Sequence, residues 1–163
     1  MKKFFIWAFA GLLLVTACKK KEAEESEPQR HFSVLDEQGN PVDEGREFVF
    51  HTYGDEAVLK LRIKNNSQQD IYVKTKLTAV SGISQSQLEV CIANSCYPVM
   101  LPDLEYPHGQ GFRIGAGQTT APDELHYTNY SSEACSYKLE ILEEDADGNK
   151  IGEPFTFTYT YRP

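Results

Sequence analysis

The sequence has few basic residues and none of the motifs that mark common active sites. Lys and Arg number 16 against 24 Asp and Glu, which gives a formal net charge of −8. Nucleic acids and anionic lipid headgroups bind basic surfaces, so this balance argues against either as a partner. No Gly-x-Ser-x-Gly motif occurs, and no pair of carboxylates has a recognisable catalytic arrangement. We therefore predict neither enzymatic activity nor a bound cofactor.

The spacing expected of metal ligands is also missing. A zinc site needs several ligands to converge, usually from closely spaced cysteines and histidines. The histidines are scattered along the chain, at His31, His51, His108 and His126. Asp145, Asp147 and Asn149 could offer oxygen atoms to calcium, but the later glutamate of an EF-hand loop is absent. We interpret this acidic stretch as a turn and predict no metal site.

The longest apolar run of the chain is too short to cross a bilayer. It extends from Phe4 to Ala17, directly after two lysines. As a helix it would be roughly 21 Å long, whereas the hydrocarbon core is roughly 30 Å thick. A short apolar run behind a positive end is typical of a secretory signal peptide.

The end of this run carries a more specific pattern. The sequence Leu-Val-Thr-Ala-Cys at residues 14–18 resembles the lipobox of bacterial lipoproteins. The resemblance implies cleavage before Cys18 and attachment of diacylglycerol to its thiol, with a further acyl chain on the new amino group. Two or more acyl chains hold a protein stably on a membrane. We predict a signal peptide at 1–17 and a lipid anchor at Cys18; an ordinary secretory signal is the alternative.

Residues 18–30 are predicted to form a flexible tether. They contain almost nothing to bury, so folding cannot offset the entropy of ordering them. The glutamates that follow the cysteine look like the surface-export signal of Bacteroidota lipoproteins. That resemblance implies an outer-membrane lipoprotein facing outside the cell, with the periplasmic face as the alternative. A plain solvated linker would have a similar composition.

From His31 onward the hydrophobic pattern has the period of β-strands, interrupted by turn residues every ten or so positions. The predicted strands are 31–35, 47–53, 57–64, 70–80, 87–91, 119–127, 136–143 and 154–161. The last two flank an Asp-Gly turn, which is a strong hairpin signal. We predict an all-β domain at 31–163, an antiparallel two-sheet immunoglobulin-like sandwich of seven to eight strands. An open barrel is the alternative.

Cysteine use is compatible with an oxidising compartment. If Cys18 carries lipid, three cysteines remain, and Cys91 with Cys96 is the predicted disulfide because so short a loop closes easily. Such a bond would stabilise the fold by roughly 2 kcal/mol. Cys135 would then be a buried thiol, although its pairing with either of the other two stays open.

A second resemblance covers residues 57–161. It rests on the C-x4-C loop at 91–96, the turn at 115–118, Leu125-His126-Tyr127 and the aromatic final strand. Together these look like the small β-sandwich domain of Bacteroidota lipoproteins and cell-surface proteins. That family implies no enzymatic role.

The segment from Tyr97 to Gly117 is the predicted binding region. Its prolines and glycines forbid long regular elements, and loops of this length are commonly functional. The residues predicted to contact a partner are Tyr97, Tyr106, His108, Phe112 and Arg113. Packing of the segment over the end of the sandwich is the alternative. We predict a non-enzymatic module that presents this loop to a protein or glycan partner; the alternative is a small surface hydrolase or protease inhibitor.

Overall fold

The computed structural model describes residues 30–163, which fold into eleven β-strands and one 3-10 turn at Gly54–Glu56. The strands are β1 (Phe32–Asp36), β2 (Glu47–Phe50), β3 (Val58–Asn65), β4 (Ile71–Ser81), β5 (Leu88–Ile92), β6 (Ser95–Tyr97), β7 (Glu105–Tyr106), β8 (Phe112–Ile114), β9 (Leu125–Asn129), β10 (Cys135–Glu144) and β11 (Lys150–Tyr161). The predicted signal peptide, the Cys18 anchor and nearly all of the tether lie outside the described residues. Within residues 30–163, no helix is long and apolar enough to span a membrane.

The strands form two sheets packed face to face, which confirms the predicted sandwich. One sheet has the order β1-β3-β9-β5-β6, and the other has the order β2-β11-β10-β4-β7 with β8 also paired to β4. Among the described strands, only the pair of β2 and β11 is parallel.

The prediction of seven to eight strands was too low for the described part of the chain. The additional strands are β6, β7 and β8, which have two or three residues each. Strands this short show no alternation in the sequence, and they form because β4 and β5 offer free edges. The predicted strand at 119–127 begins only at Leu125, and Thr119 makes an isolated bridge to Lys64.

The core lies between the sheets and is built from the alternating positions of the long strands. Leu59, Leu61 and Ile63 of β3 are buried, as their alternation predicted. The inner face of β4 is buried as well and consists of Ile71, Val73, Thr75 and Leu77. Buried tyrosine hydroxyls find partners: Tyr127 lies 2.7 Å from Thr75 Oγ1, and Tyr159 donates to the Ala57 carbonyl at 2.6 Å.

The closing hairpin of β10 and β11 forms a long antiparallel ladder. Leu139 pairs with Phe157, and Tyr137 pairs with Tyr159. At its turn, Asp145 accepts hydrogen bonds from the Asn149 side chain and from the backbone N–H groups of residues 149 and 147, and these bonds lower the pKa of the Asp145 carboxyl. Gly148 has φ of 84°, a left-handed conformation that favours glycine. The predicted Asp-Gly hairpin is therefore confirmed.

Candidate functional site

The segment from Tyr97 to Gly117 passes from one sheet to the other. It leaves the five-stranded sheet at β6, then pairs with β4 of the six-stranded sheet through β7 and again through β8. The segment therefore closes one flank of the sandwich and is not a free loop.

Two backbone hydrogen bonds attach the middle of the segment to the sheets. Met100 is fully buried, and its N–H donates to the Leu88 carbonyl of β5 at 2.8 Å. The Asp103 N–H donates to the Leu77 carbonyl of β4, also at 2.8 Å. Because these strands belong to opposite sheets, the segment is attached to both layers of the sandwich.

Tyr106 is the internal support of the segment. Its side chain is only 3% exposed, and its hydroxyl accepts the N–H of Leu101 at 2.9 Å. The rings of Tyr97 and His108 pack on it, with centroids 5.0 and 4.8 Å from the Tyr106 ring. Of the predicted partner-binding residues, Tyr106 is thus placed in the core, while Tyr97 is half-buried and His108 is exposed.

The other two predicted partner-binding residues lie on β8. Phe112 is half-buried and stands opposite Val73, whereas Arg113 is exposed and ion-paired with Asp70 at 2.6 Å. This carboxylate raises the pKa of the Arg113 guanidinium. The five predicted residues therefore do not form one continuous surface, and a role for them in binding stays a prediction.

The structure instead exposes aliphatic side chains that sequence reasoning did not select. Val99, Leu101 and Leu104 are 47%, 52% and 44% exposed, and we call them the aliphatic patch. Val99 and Leu101 border a cleft of about 290 Å³, and the Leu104 N–H donates to the Leu101 carbonyl at 3.3 Å. The remaining cleft residues are Val80, Ser84, Gln85, Ser86 and Pro102. The sequence shows that these residues are apolar and irregularly spaced, but not which of them point outward.

Charged groups border the patch on the β7 side. Lys76 lies 3.2 Å from the Asp103 carboxylate. Glu105 forms a direct ion pair with Lys150 of β11 and lies 3.7 Å from Lys74 of β4. The hydrogen bond from Lys150, aided by the charge of Lys74, lowers the pKa of the Glu105 carboxyl. The pair of Glu105 and Lys150 ties β7 to the closing hairpin, and the pairs together place charge along one side of the apolar surface.

The predicted disulfide between Cys91 and Cys96 is present and joins β5 to β6. Cys135 is a free, buried thiol, and burial raises its pKa. One cluster among the described residues has the arrangement of metal ligands, and it contains the same two cysteines with His126. Its three residues come from three strands, so sequence spacing could not reveal it.

Comparisons with known proteins give similarities of low identity. No protein-family model and no curated protein matches the chain. Solved structures with a similar fold include the Salmonella enterica SafA pilin in complex with the SafB chaperone (TM-score 0.47, 11% identity, 81% of this chain and 54% of that chain). Others are the N-terminal domain of PorA (TM-score 0.44, 14% identity, 80% and 97% covered) and the ASH/PapD-like domain of human CEP192 (TM-score 0.43, 9% identity, 81% and 84% covered). This chain spans about half the length of the matched Salmonella chain, and no functional inference follows from similarities at this level.

Proposed function

We propose that this protein is a lipid-anchored, non-enzymatic module of the bacterial cell envelope that binds a protein partner through its aliphatic patch. The observation that carries the proposal is the exposure of Val99, Leu101 and Leu104 on a segment attached to both sheets. Contiguous exposed apolar side chains with a polar border are typical of interaction sites.

The attachment of the segment favours binding because it reduces the entropy lost on association. A flexible loop must be ordered when a partner arrives, and this ordering weakens the complex. Here the hydrogen bonds from Met100 to Leu88 and from Asp103 to Leu77 fix the backbone on both sides of the exposed Leu101. The cleft beside Leu101 can receive one apolar side chain of a partner.

The chemistry of the patch favours a protein over a glycan. Sugars pack on the faces of aromatic rings, which present a broad apolar surface. The rings of Tyr97 and His108 pack on Tyr106, and the exposed side chains of the patch are aliphatic. The exposed surface thus suits an apolar protein side chain better than a sugar ring.

Photocrosslinking followed by an affinity measurement tests the proposed patch. The protein is expressed in cells with a photoreactive amino acid in place of Leu101 or Leu104. The matched control carries this amino acid in place of Val49, which is 39% exposed on β2. We expect one protein to be crosslinked from the two patch positions and not from Val49. The purified partner should then bind Leu101→Ser at least tenfold more weakly than the wild type, while the stability of the variant changes by less than about 0.5 kcal/mol. Equal affinity of Leu101→Ser and the wild type would remove the patch from the proposal.

The anchor is supported by the residues at 14–18 and is tested separately. In Cys18→Ala, we expect loss of lipid labelling and of membrane association, since the thiol that accepts the diacylglycerol is gone. Cys135→Ser is the matched control and should keep both. A Cys18→Ala variant that is still processed and still fractionates with the membrane would contradict the anchor. Protease treatment of intact cells then distinguishes the proposed outer surface from the periplasmic face.

A further inference from the structure

Three potential metal ligands lie in one row across three neighbouring strands. Cys91 of β5 stands opposite Cys96 of β6 on one side and opposite His126 of β9 on the other. Residues directly opposite each other on one face of a sheet have Cβ atoms about 4.5–5.5 Å apart. The neighbours of this row along β5 and β9 are buried in the core, namely Val90, Ile92, Leu125 and Tyr127. The row therefore points away from the core between the sheets, and its central residue, Cys91, is itself buried at 3% exposure.

The ligand atoms of this row are already close together. The two Sγ atoms and a ring nitrogen of His126 all lie within 4.8 Å of one another. Ligands of a tetrahedral zinc ion are roughly 3.5 Å apart, so small side-chain movements are enough to bring these atoms to a shared ion. Cys96 is exposed and His126 is half-buried, so an ion can reach the row from solvent.

Two neighbouring residues complete the arrangement. His126 Nδ1 lies 2.9 Å from the Asp123 carbonyl, which can only accept, so Nδ1 carries the proton and Nε2 keeps its lone pair. In metal sites, a hydrogen bond from the ring nitrogen that does not bind the metal orients the histidine ligand. Glu89 precedes Cys91 by two residues on the same face, and its Oε1 lies 3.9 Å from Cys91 Sγ. The same oxygen accepts a hydrogen bond from the Tyr130 hydroxyl at 3.3 Å, and the carboxylate can also supply a fourth, oxygen ligand.

We propose that the reduced form of this row binds one Zn²⁺ ion, with Cys91, Cys96 and His126 as ligands and Glu89 or water in the fourth position. Two thiolates with an imidazole and an oxygen form a set that zinc accepts readily. The disulfide and the zinc ion are mutually exclusive, because both use the same two sulfur atoms. The site is therefore controlled by the redox state of the cysteine pair.

The change of state requires a dithiol reductant. Its thiolate attacks the Cys91–Cys96 bond, the S–S bond breaks, and two electrons and two protons pass to the pair while the donor becomes a disulfide. Zinc binding then releases one proton from each of the two thiols, since the metal binds thiolates.

The neighbour of His126 on β3 is a cation, Lys60, which stands directly opposite it. The carboxylates of Glu37 and Asp123 lie 3.1 and 2.8 Å from the Lys60 ammonium and neutralise its charge.

Zinc binding by the purified full chain tests the proposal. The oxidised protein and the protein reduced with a phosphine are dialysed against Zn²⁺, and bound zinc is measured by atomic absorption. We expect one zinc per reduced chain and less than a tenth of that in the oxidised chain. His126→Ala and Cys96→Ser should weaken zinc binding by about tenfold or more, since even loss of a second-sphere partner costs roughly 10- to 100-fold. His51→Ala and Cys135→Ser are matched controls and should bind normally.

Thermal melting is a second test, which reports zinc binding even if reduction of the disulfide destabilises the fold. Ligands that bind the native state raise its melting temperature. At the same zinc concentration, zinc should therefore raise the melting temperature of the reduced wild type by more than that of reduced His126→Ala. The proposal is overturned if the reduced wild type binds no zinc and gains no thermal stability, or if His126→Ala binds zinc as tightly as the wild type.

Discussion

The closing hairpin and the segment from Tyr97 to Gly117 both contribute aromatic rings to the sandwich, but different interactions hold them in place. In the hairpin, β10 and β11 form a long ladder between strands that are neighbours in sequence. In the segment, isolated contacts reach distant strands: Met100 bonds to Leu88, and Asp103 bonds to Leu77. The hairpin therefore depends on local pattern and burial, whereas the segment depends on a few single hydrogen bonds and on the short pairings of β7 and β8 with β4.

The largest expected effect is in the hairpin. Phe157 is 2% exposed and packs edge-on against Tyr127 and Phe48. Because Phe157→Ala leaves a cavity between the sheets, we expect a loss of about 3–5 kcal/mol in the free energy of unfolding. Thr158→Ala, next to it on the outer face, should lose less than about 0.5 kcal/mol. Urea denaturation of both variants measures the difference, and equal losses would contradict the assigned register.

An intermediate effect is expected at the support of the segment. Tyr106→Phe keeps the buried ring but removes the hydroxyl that accepts the Leu101 N–H. We expect it to cost about 0.5–1.5 kcal/mol, the usual contribution of one hydrogen bond. Tyr106→Ala, which also removes the buried ring, should cost more than Tyr106→Phe. If Tyr106→Ala unfolds at the same urea concentration as the wild type, the ring is not part of the core.

The smallest effect concerns the ion pairs that join the two regions. Lys150 and Lys74 lower the pKa of Glu105, so the ionised carboxylate stabilises the folded state above its unfolded pKa of about 4.3. This stabilisation is lost as the pH falls through the lower, folded-state pKa. Glu105→Gln should therefore reduce stability by up to about 1 kcal/mol at pH 7 and by nothing at a pH below both values. Urea denaturation at a series of pH values measures this; a difference that does not change with pH would contradict the electrostatic explanation.

The two regions also differ in how far the sequence predicts them. The alternation of Tyr137 and Leu139, together with the Asp-Gly turn, is enough to predict the hairpin and its inner face. Within the segment, the sequence predicts irregular backbone. It does not decide whether the apolar side chains pack over the sandwich or face a partner. It cannot show that Tyr106 is inside and Leu101 outside, because their burial depends on strands β4 and β5 far away in the chain.

Dependence on distant strands also explains why the sequence did not predict the short strands or the position of His126. The strands β7 and β8 have too few residues to show a period, and they exist because β4 has a free edge. The cysteine pair was predictable because its two residues are close in sequence. The position of His126 beside that pair was not, since it follows from the order of β5 and β9 in the sheet.

Amide hydrogen exchange of the full chain tests most directly the claim that the sandwich holds the segment in a fixed conformation. The account predicts slow exchange for the amides of Met100, Leu101 and Asp103, with opening free energies close to those of the hairpin amides. In Tyr106→Phe, exchange at Leu101 should become faster while the hairpin amides near Leu139 stay protected. Exchange of all three segment amides at the rate of an unfolded chain, beside a protected hairpin, would contradict the account and leave the aliphatic patch without a fixed support.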